Sequence, residues 1–171
     1  MRRILLDTSI YGKLIEEPEI IEVLNTKIPN KIIIYGNNII RKELRDTPKY
    51  VRYAGKNLRI LLLTIYSNLV KDHELEQNKL VETLAKDYQL EYRKIGGSVS
   101  SIKMRNDFLI IAIATIYQLD IVVSDDEKTM FSSISIKAYR SVNKSYGLKD
   151  PEFVPYRIFK KNLKNQEDFP V

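Results

Sequence analysis

Residues 107–126 read DFLIIAIATIYQLDIVVSDD, a buried helix running straight into a buried strand with a carboxylate at each outer end. Phe108, Leu109, Ile110, Ile111, Ile113, Ile116 and Leu119 leave that helix almost no polar face, so it must be packed on most sides. Asp107 is the only charge before this apolar run. A charge beside such a surface costs free energy unless it is paired, metal-bound or at a wet cleft. Ile121, Val122 and Val123 form a short β-branched run that suits the core of a parallel sheet. Asp125 and Asp126 follow at its carboxyl end, the edge where open α/β sheets bind ligands.

Working outward toward the amino terminus, Ser100 to Asn106 leads into Asp107, with Lys103 and Arg105 exposed. Gly96, Gly97 and Ser98 break the chain before it. Residues 49–70 and 74–93 carry apolar positions at helical spacing and predict a helical hairpin, with Lys71 to His73 in its turn. Asn37 or Asn38 caps a helix that holds Glu43 and stops before Pro48. Glu43 lies one turn from Ile39 and Ile40, near the apolar side of that helix. Ile32 to Tyr35 is a strand, and Glu19 to Asn25 a helix closed by Pro29 and Asn30. Arg3 to Leu6 is the first strand, ending at Asp7 before a turn through Thr8, Ser9 and Gly12. Beyond Asp126, Thr129 to Ser133 reads as a short helix and Ile134 to Tyr139 as one more strand. From Ser141 a polar, basic tail packs over the domain and frays near Pro170.

Strands alternate with helices, which predicts a central parallel β-sheet flanked by α-helices, a three-layer α/β/α domain. The domain spans 1–140, with the helical hairpin at about 49–93, and 141–171 form a tail packed on it. At 171 residues one such domain buries a substantial core. The chain has no cysteine and a single histidine, so disulfides, thiolate metal sites and a His-rich zinc site are excluded. Any metal must be held by carboxylates, which suits Mg²⁺ or Mn²⁺. The net charge of +6 favours a polyanionic partner. No stretch reads as a signal peptide or a membrane span, and the expectation is a cytoplasmic protein.

In a parallel sheet Asp7 and Asp125 or Asp126 share the carboxyl edge, and Glu43 and Asp107 fall at helix ends facing it. Four acids at one edge amount to a divalent-metal site for phosphoryl chemistry. Taken singly, each has a plainer reading: Asp7 as a helix cap after a strand, Glu43 as a solvated helix glutamate.

Four segments in this order, LLDTSIYG, IIRKEL, NDFLIIAIA and IVVSDD, resemble the PIN-domain nucleases, which include the toxin ribonucleases of VapBC toxin–antitoxin pairs. The resemblance covers roughly residues 2–131. It implies a metal-dependent endoribonuclease with Asp7, Glu43, Asp107 and Asp126 as catalytic and metal-binding acids. Asp125 stands in reserve for the fourth, and Thr8 and Ser124 support the site by hydrogen bonds. Arg41, Arg45, Lys103 and Arg105 would carry the RNA backbone. An antitoxin protein and a homodimer, built through the helical hairpin, are the implied partners. The hairpin, the aromatic tail and DEKTMF after the fourth acid depart from the smaller toxins of the family. A catalytically inactive PIN-fold module binding nucleic acid or protein is the alternative. A haloacid-dehalogenase-like phosphatase is disfavoured because Ser9 stands where its second aspartate is needed, and a nicotinamide Rossmann domain because the glycine fingerprint is missing.

Overall fold

A computed structural model describes residues 1–27 and 31–165. Five strands, β1 (Arg2–Leu6), β2 (Ile32–Asn37), β5 (Glu74–Leu75), β6 (Ile121–Ser124) and β7 (Glu152–Pro155), form one sheet in the order β5-β2-β1-β6-β7. Every pairing in it is parallel. β1 and β6 are its centre, with Ile4 opposite Ile121, Leu5 opposite Val122 and Leu6 opposite Val123. All six of these side chains are fully buried, which is why both strands read as unbroken apolar runs. A two-residue antiparallel ribbon, β3 (Arg52–Tyr53) and β4 (Lys56–Asn57), stands apart.

The helices are α1 (Thr8–Glu16), α2 (Pro18–Glu22) with a π-helical turn at Val23–Lys27, α3 (Asn38–Arg45), α4 (Leu58–Val70), α5 (Lys79–Lys94), α6 (Ser101–Ile116), α7 (Ser133–Tyr146) and α8 (Tyr156–Asn165). They pack as two groups, α1 with α3 and α4, and α5 with α6 and α7. This is the flanked parallel sheet expected from the sequence. In α6, Phe108 through Thr115 are buried without a break, as a helix with no polar face requires. None of the described helices is long and apolar enough to cross a membrane.

Several elements differ from the sequence expectation. The first part of the 49–70 segment is the β3–β4 ribbon, turned by Ala54 and Gly55 at positive φ, and α4 starts only at Leu58. Asn57 caps it by accepting from the Ile60 N–H at 3.2 Å. Glu74 and Leu75 form not a helix but an edge strand on β2, and α5 begins after Asn78, which caps Val81 N–H at 3.0 Å. Residues 129–132, expected as part of a short helix to Ser133, form turns and a bend, and 134–139, expected as a strand, lie with Ser133 in α7. Its buried positions Ser135, Ala138, Tyr139, Val142 and Asn143 have helical spacing, and Ser132 caps it. The 140/141 boundary therefore falls inside a helix. Part of the supposed tail is β7, whose Pro155 is tolerated because the strand is at the sheet edge. The helix end at Pro29–Asn30 and the fraying near Pro170 lie outside the described residues.

Candidate active site

Because the sheet is all parallel, its carboxyl ends lie along one edge. The strand order turns back between β1 and β6, since the chain leaves β1 toward β2 and returns to add β6 on the other side. Crevices of open α/β sheets form at such a switch point. Asp7 and Ser124 end these two strands side by side, with the Asp7 N–H donating to Val123 O at 2.9 Å.

Asp7 occupies the cap position of α1 but makes no side-chain cap bond. Its Oδ2 accepts instead from the hydroxyls of Ser9 and Ser124, both at 2.9 Å. Only 6% of the residue is exposed. Burial pushes its carboxyl above the ordinary range, partly countered by the Ser124 and Ser9 donors, and the charge of Glu43 adds to the rise. The reading of Asp7 as a plain helix cap does not survive this geometry.

Glu43 reaches the same edge because Asn37, fully buried at the end of β2, starts α3 there. The Asn37 Oδ1 accepts from the Ile39 and Ile40 N–H groups, both at 3.0 Å. Both carboxylate oxygens of Glu43 are bound. The Thr8 hydroxyl donates to Oε2, and the Asn106 Nδ2 donates to Oε1 at 2.6 Å. Glu43 is half-buried, not a solvated surface residue.

Asp107 does not open its helix. Ser100 caps α6, so Asp107 sits in the second turn, one residue after Asn106. Burial pushes its carboxyl up to about 7. The Thr129 hydroxyl acts against the rise, and the charges of Asp7, Asp126 and Glu43 add to it. All three other acids thus act electrostatically on this one group.

Burial also pushes Asp126 up, but its donors win. The Thr129 hydroxyl, the Thr129 and Lys128 N–H groups at 2.9 and 3.0 Å, and the Met130 N–H hold its carboxyl below the ordinary value. The Thr129 hydroxyl donates to Asp126 Oδ2 and also acts against the rise at Asp107, yet the two carboxyls are driven in opposite directions, the pattern that separates a proton-holding carboxyl from an ionised one. Ser124 links the strand ends, donating to Asp7 and accepting from Asp126 N–H at 3.0 Å.

Asp125, the reserve for the fourth acid, is engaged elsewhere: its Oδ2 lies 3.4 Å from Lys13 Nζ, with both side chains well exposed. Of the basic candidates, Arg45, Lys103 and Arg105 are exposed, while Arg41 is paired with Glu74 at 3.3 Å. Arg105 lines a groove of about 410 Å³ between α5 and α6, together with Gln77, Lys86 and Gln89. Thr8 donates to Glu43 and Ser124 to Asp7. Asn106, Thr129 and Ser9 also bond site acids, roles that the sequence does not assign. The Asp-x-x-Thr spacing from 126 to 129 carries a local signal for Thr129, whereas nothing local ties Asn106 to a glutamate sixty-three residues away.

As donors the four acids are hard oxygens, the chemistry that suits Mg²⁺ or Mn²⁺. Among the described residues, no three acidic or histidine side chains already stand as a ready-made metal cluster. Each carboxylate is held instead by hydroxyl, amide or backbone donors.

No family model matches the chain, and no curated protein does. Solved structures do. A chain of VapBC-1 from nontypeable Haemophilus influenzae matches at a TM-score of 0.57 and 14% identity, over 91% of this chain and 98% of that one. DNA-bound VapBC from Salmonella typhimurium gives 0.59 and 16%, over 91% and 99%. FitAcB from Neisseria gonorrhoeae gives 0.52 and 21%, over 78% and 93%. At these identities the likeness is one of fold. The chain has a PIN-like α/β fold, shared along most of its length with chains from VapBC and FitAcB.

Proposed function

We propose that the protein is a metal-dependent endoribonuclease of PIN-domain type. The observation that supports this best is the partial burial of Asp107 within the field of Asp7, Glu43 and Asp126, where no cationic side chain among the described residues is hydrogen-bonded to any of the four. Mutually repelling carboxylates, one buried and three partly so, are costly in isolation at a ligand-binding sheet edge and are compensated by a bound cation. Asp7, Glu43, Asp107 and Asp126 would hold Mg²⁺ or Mn²⁺, which when bound supplies charge stabilisation for an attacking water and a phosphodiester. Ser9 and Ser124 aim Asp7, Thr8 and Asn106 aim Glu43, and Thr129 aims Asp107 and Asp126. Arg45, Lys103 and Arg105 lie on elements that carry site acids and would meet the RNA backbone, with Arg41 released from Glu74 as a further contact.

The fold likeness to VapBC and FitAcB chains favours the toxin role in a toxin–antitoxin pair, with a protein antitoxin as partner and the cytoplasm as setting. A homodimer through α4 belongs to this reading. That helix is apolar nearly all round, yet Ile60 is exposed and Leu58, Leu61, Leu63 and Ile65 are only partly buried.

That no three acidic or histidine side chains among the described residues stand as a ready-made metal cluster favours the second reading, a PIN-fold binding module without catalysis. One experiment separates them. Calorimetry with Mn²⁺ is paired with cleavage of a mixed RNA pool, in Mn²⁺ and in EDTA. The nuclease reading expects saturable ion binding and cleavage that EDTA abolishes. A protein that binds RNA but neither holds Mn²⁺ nor cuts is the module.

A further inference from the structure

We propose that Asn106 is a positioning residue whose side-chain amide fixes the orientation of Glu43. The inference rests on the metal-site reading above and gives a role to Asn106, the first residue of the NDFLIIAIA segment, to which the resemblance assigned none. Asn106 donates Nδ2–H to Glu43 Oε1 at 2.6 Å, a short side-chain bond between elements sixty-three residues apart. The other oxygen, Oε2, accepts from Thr8. The two donors come from different elements, Thr8 from the start of α1 and Asn106 from the second turn of α6, while Glu43 stands on α3. The carboxylate is therefore clamped between two helices that each carry another acid of the site, next to Asp7 on one side and Asp107 on the other.

The chemistry of the amide suits this place. Glutamate has three side-chain torsions, and a half-buried one with a single bound oxygen keeps much of that freedom. A second donor on the free oxygen removes it. A lysine or arginine in that role would neutralise Glu43 and compete with a divalent ion for it. An aspartate would add a fifth negative charge and offer no donor. The asparagine amide donates and carries no charge, so it neutralises nothing at Glu43 and leaves one lone pair on each oxygen. The same residue pins α3 to α6, which pack against each other, and so sets the distance between Glu43 and Asp107.

The test uses the full chain with Asn106→Ala, Asn106→Gln, Glu43→Ala and the Asn106→Ala/Glu43→Ala double variant. Melting temperatures are recorded for each, and Asn106→Ser replaces the alanine variant if that fails to fold. In metal-free protein the Asn106 side-chain amide protons are assigned by NMR. One should lie downfield and exchange slowly, and should lose both properties in Glu43→Ala. With Mn²⁺ alone as probe, Asn106→Ala should weaken binding about 10- to 100-fold, the usual effect of losing a group that orients a ligand, and Asn106→Gln should recover part of it. Adding Asn106→Ala to Glu43→Ala should weaken Mn²⁺ no further, because the amide acts only through the glutamate. In cleavage, kcat should fall while KM for RNA stays within about twofold. An Asn106 amide indifferent to Glu43→Ala overturns the proposal. So does Mn²⁺ affinity unchanged in Asn106→Ala, or losses that multiply in the double variant. A parent chain that binds no Mn²⁺ defeats the nuclease reading instead, and the amide resonance still decides whether Asn106 orients Glu43.

Discussion

Replacing Asp107 by asparagine tests the buried-carboxyl account most directly. Its carboxyl is raised from 3.8 to about 7, chiefly by burial. At about 1.4 kcal/mol for each tenfold, this amounts to at most about 4 kcal/mol between the charged and neutral forms. The folded-state pKa lies above the unfolded one, so the folded protein binds a proton that the unfolded chain has released. The associated stability is complete below about pH 4 and is lost as the pH rises toward 7. Above pH 7 the metal-free parent carries the full penalty. The asparagine variant never does, and its amide can still bond Thr129. Allowing half the penalty for relaxation and water entry leaves about 2 kcal/mol, or a gain of about 4–8 °C in melting temperature for a chain this size. Calorimetric melts in EDTA at pH 3, 6 and 8 would show the difference growing from near zero to that value. With Mn²⁺ the order should reverse, since ion binding stabilises the folded parent and the variant has lost a ligand. Metal-dependent cleavage should fall at least about a hundredfold. A difference independent of pH, or a variant less stable than the parent at pH 8 in EDTA, would refute the assignment of burial as the cause.

Three further outcomes are expected. Gly36→Ala should cost about 1–3 kcal/mol in urea unfolding, because a Cβ there would lie 2.3 Å from Tyr66 Oη. That hydroxyl is held by Asn37 O at 3.1 Å and Glu74 at 3.0 Å, so an unchanged midpoint would mean the ring is free to move. Lys103→Gln and Arg105→Gln should each lower the slope of log affinity against log salt by about 0.7 for a single-stranded RNA measured in EDTA. Slopes equal to the parent's would remove these residues from the RNA path. Ile60→Asp should convert a dimer to a monomer in light scattering, and a parent already monomeric at high concentration would remove the α4 interface.

What the sequence revealed and what it hid divide along a physical line. The central strands and α6 were legible because burial on every side demands unbroken apolar runs, and Ile121–Val123 and Phe108–Thr115 leave no other placement. Asp7 and the Ser124–Asp126 turn were legible as points where those runs stop at charge. The ribbon at 52–57, the edge strand at 74–75 and β7 were not. Each is too short to carry a period, and the last two exist through partners elsewhere in the chain, Gly36 and Asn37 for β5 and Ile121 to Ser124 for β7, while the ribbon pairs only with itself. Pro151 and Pro155 gave that last segment the look of a loop.

The same division runs through the candidate site. Acids could be counted from the sequence, but their protonation could not, because it follows from donors brought in by folding. Thr129 serves both Asp107 and Asp126, yet three N–H groups of one turn join it on Asp126 and leave the deeper Asp107 raised. Asp125 and Asp126 are indistinguishable as letters; Lys13 takes the first, and the Lys128–Met130 backbone takes the second. If that backbone turn sets which acid stays ionised, then Thr129→Val should raise both carboxyls together, because it removes the hydroxyl that donates to Asp126 and lowers Asp107 as well. The rise should be visible by carbon-detected NMR titration of the metal-free protein. Asp126 should remain the lower of the two, since its N–H donors are untouched. A crossing of the two titration curves would show that the hydroxyl, not the turn, separates them.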